Sequence, residues 1–275
     1  MEPPRPHLDR MDDELIRLGL VDEDDIVLDD AALSLALLDH DGLDAAPFRE
    51  FLDTVAIRLG AVGADATDAW ARARALTQTL AGEYGFLGDA DTYDDPSNAN
   101  LVQVIERRRG LPISLSILYV GAARRLGWMA NVLDVPGHVL VLIGGDAVPA
   151  ILDPFRGGAA VDCEKLFALV GEHRGADQSA VSRVGAMPNR AILVRLLLNQ
   201  AIRAEKAGHG RRALDLYRRM TVMAPSHGSP WWERARLELV DGDVSAARAS
   251  LGAMLEITRD PTLRRRVSDT LASLV

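Results

Sequence analysis

Apolar residues recur at helical spacing through the first third of the chain. Phe48, Leu52, Val55 and Leu59 form one stripe, and Trp70, Ala73, Leu76, Leu80 and Tyr84 form a second. Residues 31 to about 84 are therefore expected to be helical, with both stripes facing a core. The segment YGFLGDADTYDDPSNAN breaks this period with glycines, a proline and Asx residues, which marks a long ordered loop or a chain of turns. A short helix is expected over 101–108, stopped by Gly110. Pro112 suits the first turn of the next helix, where a backbone N–H has no partner to lose. ISLSILYVGAARRLG continues that helix, with Leu115, Leu118, Ala122 and Leu126 at core spacing and Gly127 as its stop.

Beyond Gly127 the pattern changes to the short β-prone runs ANVLDV, HVLVLIG and AVPAILD. They are separated by Pro136-Gly137 and by Gly144-Gly145-Asp146, and the last two runs read as a hairpin. One helix followed by three neighbouring strands, with helices on either side, predicts an α+β zone with an antiparallel sheet. From about Ala191 the pattern is purely helical and repeats itself. Gly208, Ala213, Tyr217 and Met220 recur 34 residues later as Gly242, Ala247, Leu251 and Met254. That is the tetratricopeptide period, with small residues for close helix approach and large ones beside them, and with Pro225 and Pro261 ending the second helix of each unit. Two such units are fewer than the roughly three that a free-standing solenoid needs, so they are expected to lean on the middle domain.

Composition narrows the class. With 275 residues, 48% of them hydrophobic, the chain can bury a substantial core. It has no apolar run near the ~20 residues of a membrane span and begins without a signal-peptide pattern, so a cytoplasmic protein without a membrane role is expected. The net charge of −9 is local: residues 1–30 hold eleven acids and three arginines, leaving about −1 for all the rest. The run VDEDDIVLDD is expected to be a solvated, flexible arm ending in the helix-initiating Asp29 and Asp30. From Ala191 onward fourteen basic residues face nine acids, too mild a bias to indicate nucleic acid binding. Six scattered histidines and one cysteine offer no metal-ligand spacing, and no cofactor motif occurs.

Four strings in order carry a family likeness: GFLGDADTYDDPSNANL, VIERRRGLPISLSILYVGAARRLG, VPGHVLVLI and ILDPFRGG. Together they resemble the bacterial SirB family, from about residue 30 to the C-terminus. The resemblance implies an α+β transglutaminase-like (papain-like) core with a helical N-terminal subdomain, followed by α-helical tetratricopeptide-type repeats. The corresponding domains are an acidic arm over 1–30, the helical subdomain and core over 31–185, and the repeats over 191–275.

The resemblance also implies a mechanism. The transglutaminase-like fold places a nucleophilic cysteine at the N-terminus of its central helix, where the dipole and unpaired N–H groups favour a thiolate. A histidine on the next-but-one strand and an aspartate on the strand after it complete the set. His138 matches the histidine and Asp153 the aspartate. The cysteine position falls on Pro112, Ile113 or Ser114, and Cys163 lies after the aspartate strand in DCEKLFALV.

Two readings of different class remain open. In one, the domain has lost covalent catalysis and is a pseudoenzyme, a regulatory or protein-interaction module whose unidentified protein partner docks in the repeat groove. In the other, Ser114, His138 and Asp153 form the constellation of a hydrolase or acyl-transferase, although serine at a helix start is also an ordinary cap and no Gly-x-Ser-x-Gly elbow occurs.

Other features have structural explanations. Arg107, Arg108 and Arg109 are expected to pair with Glu106 and the loop acids rather than to bind phosphate. Asn98 is expected to cap the 101–108 helix, and Gly157-Gly158 to form a turn. Trp231 and Trp232 are expected to anchor a repeat helix, with a peptide contact as the lesser alternative.

Overall fold

The structure, a computed structural model, describes residues 7–40, 42–135, 138–144, 148–174 and 185–274. In chain order it contains α1 (His7–Leu20), α2 (Leu28–Leu37), α3 (Ala46–Val62), α4 (Ala69–Leu76), β1 (Leu87–Gly88), α5 (Leu101–Arg107), β2 (Arg109–Gly110) and α6 (Pro112–Arg125). The strands β3 (Ala130–Val135), β4 (His138–Ile143), β5 (Ala150–Asp153) and β6 (Ala159–Ala160) follow, and then α7 (Cys163–Arg174). The remaining helices are α8 (Asn189–Lys206), α9 (Gly210–Met223), α10 (Gly228–Val240), α11 (Val244–Ile257) and α12 (Pro261–Ser273). They divide into two compact units, Glu23–Leu196 and Met1–Asp22 together with Leu197–Val275. These units are bounded at 22/23 and 196/197, whereas the division expected from the sequence is 1–30, 31–185 and 191–275.

The larger unit is built on α6. Every residue from Ile113 to Ala123 is buried, because this helix is apolar or small on all faces and is covered by α2, α3, β3 and β4. Pro112 opens it, as its position in the sequence suggested, and Gly127 lies just beyond with a left-handed φ of 71°. The four strands form an antiparallel sheet in the order β3-β4-β5-β6, with Val141 of β4 facing Val132 on one side and Leu152 on the other. Leu133, Val135 and Leu140 cluster with Val161 and are packed by Leu166 and Leu169 of α7. β6 went unread, since two residues carry no alternation. The turn residues Pro136, Gly137, Gly145 and Asp146 lie outside the described residues.

Three helical details differ from the pattern reading. Trp70 is 36% exposed, and the buried stripe is Ala69, Ala73, Leu76 and Leu80, with Ala69 taking the place assigned to the tryptophan. This stripe runs straight from α4 into a π-helical segment, Thr77–Glu83. Gly110 does not stop α5. The stop is Arg108, with a left-handed φ of 58°, and Gly110 instead pairs with Gly88 in the parallel β1–β2 ladder. Arg108 is held in that conformation by its side chain, whose guanidinium lies 4.1 Å from the Phe51 ring centroid and 4.8 Å from that of Phe86.

The smaller unit corrects the expectation of a solvated arm. His7–Leu20 is helical, Leu15 and Leu18 are each 2% exposed, and α1 packs on α9. Two leucines at i and i+3 give the acidic stretch one apolar edge, which is enough to dock it. The approach is close: a Cβ at Gly19 would stand 2.9 Å from the carbonyl oxygen of Val222. In the C-terminal helices the 34-residue correspondence falls on equivalent places. Gly208 and Gly242 both have left-handed φ values ahead of α9 and α11, and Ala213, Tyr217, Met220, Ala247, Leu251 and Met254 are all buried. Pro225 follows α9, whereas Pro261 starts α12 rather than ending α11. Trp231 and Trp232 pack on the cluster of Ala235, Ala247, Leu251, Met254 and Val267, as anchors should.

Candidate functional site

Asn98 ties the long loop to α5 and α6. Its side chain is fully buried; Nδ2 donates to the Thr92 carbonyl (2.7 Å) and Oδ1 accepts from Arg107 (3.1 Å). Its carbonyl oxygen accepts from Leu111 N (2.9 Å) and from the Ser114 hydroxyl (2.8 Å). Arg107 also donates to Ser97 and pairs with Asp89 at 3.0 Å. Asp89 accepts further bonds from the Thr92 hydroxyl (2.6 Å) and amide (2.8 Å). The Thr92 hydroxyl foremost, then its amide, Asn98 and Arg107, lower the Asp89 pKa to about 2 against the opposing effect of burial. Capping of α5 falls to Asn100, whose side chain accepts from Gln103 N at 3.2 Å, and not to Asn98. The three arginines behave mainly as structural groups: Arg107 meets a loop acid, Arg108 stacks, and Arg109 donates to the Gly85 carbonyl at 3.0 Å.

The DPFRGG turn is held against this loop. Phe155 meets Tyr93 edge to face at 5.8 Å, and a Cβ at Gly88 would overlap the Phe155 ring. Asp153, 6% exposed, caps the 3-10 turn Pro154–Arg156 by accepting from Arg156 N at 3.2 Å, with Arg156 Nε at 3.7 Å. Gly157 and Gly158 both take left-handed φ values, and Thr77 of the π-helical segment donates to the Gly158 carbonyl at 2.9 Å. Nearby, the Tyr119 hydroxyl is buried with no hydrogen-bond partner among the described residues; burial first and the Asp153 charge second raise its pKa.

His138 is half-buried at the start of β4, opposite Val135. The β4–β5 ladder runs from Ile143–Ala150 to Val141–Leu152, and Asp153 follows its last pair. Ser114 is different. It is fully buried, and its single proton is donated to the Asn98 carbonyl. Among the described residues no hydrogen bond links it to His138, and none links His138 to Asp153. A serine nucleophile needs its base within about 2.6–3.2 Å or one water away. Thus the Ser114 hydroxyl is committed to the loop, and no hydrogen bond among the described residues joins it to His138 or Asp153. Cys163 opens α7, after β6 in the chain.

Residues 46–198, more than half of the chain, match the family model described as the transglutaminase-like superfamily. The chain belongs to that superfamily. A UPF0162 protein of Xylella fastidiosa is 30% identical over 244 residues, covering 87% of this chain and 87% of its own length. A UPF0162 protein of Pseudomonas aeruginosa is 29% identical over 225 residues, covering 81% and 82%. The human F-box only protein 21 is 29% identical over 157 residues, covering 52% of this chain and 24% of that protein.

The matched residues include the whole Asn98 network, α6 and the sheet. The signal for that network was present in the sequence as a loop dense in Asp, Asn, Ser and Thr. What was missing was which Asx faces inward. Among the described residues no group of His, Cys, Asp and Glu is placed to hold a metal ion, and no helix is long and apolar enough to cross a membrane.

Proposed function

We propose that this transglutaminase-like chain is a non-catalytic, SirB-type protein that acts in the cytoplasm as a protein-interaction or regulatory module. Residues 191–275 serve as a tetratricopeptide-type docking tail, and His138 and Asp153 are retained as framework. One observation supports this reading above the others. At the start of α6, where the family's nucleophile would stand, the one hydroxyl is fully buried and spends its proton on the Asn98 carbonyl. A buried hydroxyl bonded in this way stabilises a loop and directs its proton at a carbonyl rather than at a base.

The test is an acyl-transfer and amide- and ester-hydrolysis screen on purified full-length protein and on Ser114→Ala and His138→Ala. The expected outcome is no turnover that depends on either residue. Ser114→Ala should lower unfolding stability by about 1–3 kcal/mol through the lost buried hydrogen bond. Turnover by the wild type that disappears in Ser114→Ala, in a variant still folded by circular dichroism, would overturn the proposal.

A further inference from the structure

Arg107, Arg108 and Arg109 close α5 and open β2. Arg107 is paired with Asp89. Among the described residues the Arg108 side chain takes part in no hydrogen bond or ion pair, and its Nη1 is buried without a partner. The rings of Phe51 and Phe86 fix the plane of its guanidinium without neutralising it. Burial lowers its pKa, and Tyr84 rather than any carboxylate opposes that effect.

Charges withdrawn from water are ordinarily paired, so an unneutralised, half-buried guanidinium calls for a counter-charge. The backbone of Arg108 points the same way. Its left-handed φ of 58° is a conformation that glycine adopts more easily, and such strain concentrates at ligand clamps and active sites. Arg109 also lacks an acidic partner among the described residues. It is exposed, and its Nη1 donates to the carbonyls of Gly85 (3.0 Å) and Arg108 (2.9 Å). The two cations are thereby tied to consecutive residues, Arg109 to the Gly85 carbonyl and Arg108 to the Phe86 ring. Beside Gly85 the space is open, since a Cβ there would meet no atom within 4 Å. The acids nearest in sequence are engaged elsewhere: Glu83 with Arg58 (2.6 Å), Asp89 with Arg107 (3.0 Å) and Glu106 with Gln103 (3.4 Å).

The charge count discriminates among anions. One carboxylate would leave one of the two cations uncompensated, whereas a phosphate monoester carries about −1.5 to −2 at pH 7 and three strong acceptor oxygens. Guanidinium forks match phosphoryl oxygens in geometry as well as in charge. We propose that Arg108 and Arg109 form a binding site for a phosphate monoester, with the phosphoryl group held by both guanidiniums beside Gly85. Ser114, His138 and residues 191–275 contribute nothing to this site, so its failure would leave the non-catalytic reading untouched.

The experiment is titration calorimetry of the full-length protein with glycerol 1-phosphate and with a pentapeptide capped at both ends, its central residue phosphoserine, glutamate or serine and its other residues alanine. A phosphate monoester should bind saturably, the glutamate peptide about tenfold more weakly than the phosphoserine peptide, and the serine peptide not at all. Arg109→Gln, at an exposed position, and Arg108→Gly, which keeps the left-handed turn, should each weaken phosphate binding about tenfold while circular dichroism shows the fold intact. Glycerol 1-phosphate binding as tightly as the phosphopeptide would support a small phosphate ester as the ligand, and a preference for the peptide would support a phosphorylated protein; both uphold the site. The proposal is overturned by the absence of saturable binding of either phosphate to folded protein at millimolar concentration, by a glutamate peptide that binds as well as the phosphoserine one, or by an affinity unchanged in Arg108→Gly or Arg109→Gln.

Discussion

Asp89 illustrates how one side chain sets a pH response. Its pKa in the folded protein is about 2, below the roughly 3.9 of an unfolded aspartate. The lower folded value means that the ionised form favours the native state. Its contribution is fully present above pH ~4 and is lost as pH falls through about 2. Asp89→Asn should therefore flatten the acid limb of stability between about pH 4 and pH 2, while leaving the slope above pH 5 unchanged; urea midpoints across that range would measure it. A steep acid limb retained in the variant would locate the response elsewhere. At this scale the sequence was partly readable. It indicated an ordered polar loop and an Arg107 pairing with loop acids. It could not distinguish Asn98 from Asn100, because both are Asx residues two positions apart and only the path of the loop decides which turns inward. Asp29 was read as a helix initiator. It is in α2, but buried and paired with Arg125 across 96 positions, a contact that local pattern cannot reveal.

Helix and strand ends depend on side chains acting over a few residues. Arg108 ends α5 in a conformation that glycine adopts most easily, at a strain of about 1–2 kcal/mol for a residue with a Cβ. Its stacking on Phe51 and Phe86 offsets that strain by about 0.5–1 kcal/mol or more per ring. Arg108→Ala keeps the strain and loses the stacking, and should destabilise by about 1–2 kcal/mol. Arg108→Gly loses both and should lie closer to the wild type; chemical denaturation of the pair separates the two effects. Equal losses in both variants would show that the backbone is unstrained. Gly121 presents the opposite balance. Alanine would gain about 1 kcal/mol of helix propensity, but its Cβ would stand 2.6 Å from Asp29 and push at the pair with Arg125. Overpacking of about 1–3 kcal/mol should prevail, so Gly121→Ala is expected to lower the melting temperature. The long elements were readable because α6 and the strands carry strong periodicity, while β6, β1 and β2, two residues each, carry none.

At the scale of the whole molecule, the two compact units make separate demands on the chain. In the smaller one, Leu15 and Leu18 of α1 are buried at about 1.5–3 kcal/mol each. Deleting residues 1–22 should therefore speed amide exchange in α9, while exchange in α6 and the sheet is unaffected; protection unchanged in α9 would refute the docking of α1. This partition was hidden in the sequence, where the acidic content of residues 1–30 outweighed two leucines. It also gives that acidity a role in time. α1 leaves the ribosome some 190 residues before α9, its packing partner, so at roughly 5–20 residues per second it waits for about 10–40 s. During that interval it is an amphipathic segment with an uncovered leucine edge, open to wrong partners. The surrounding carboxylates are well hydrated and would keep that segment in water until α9 arrives to cover it.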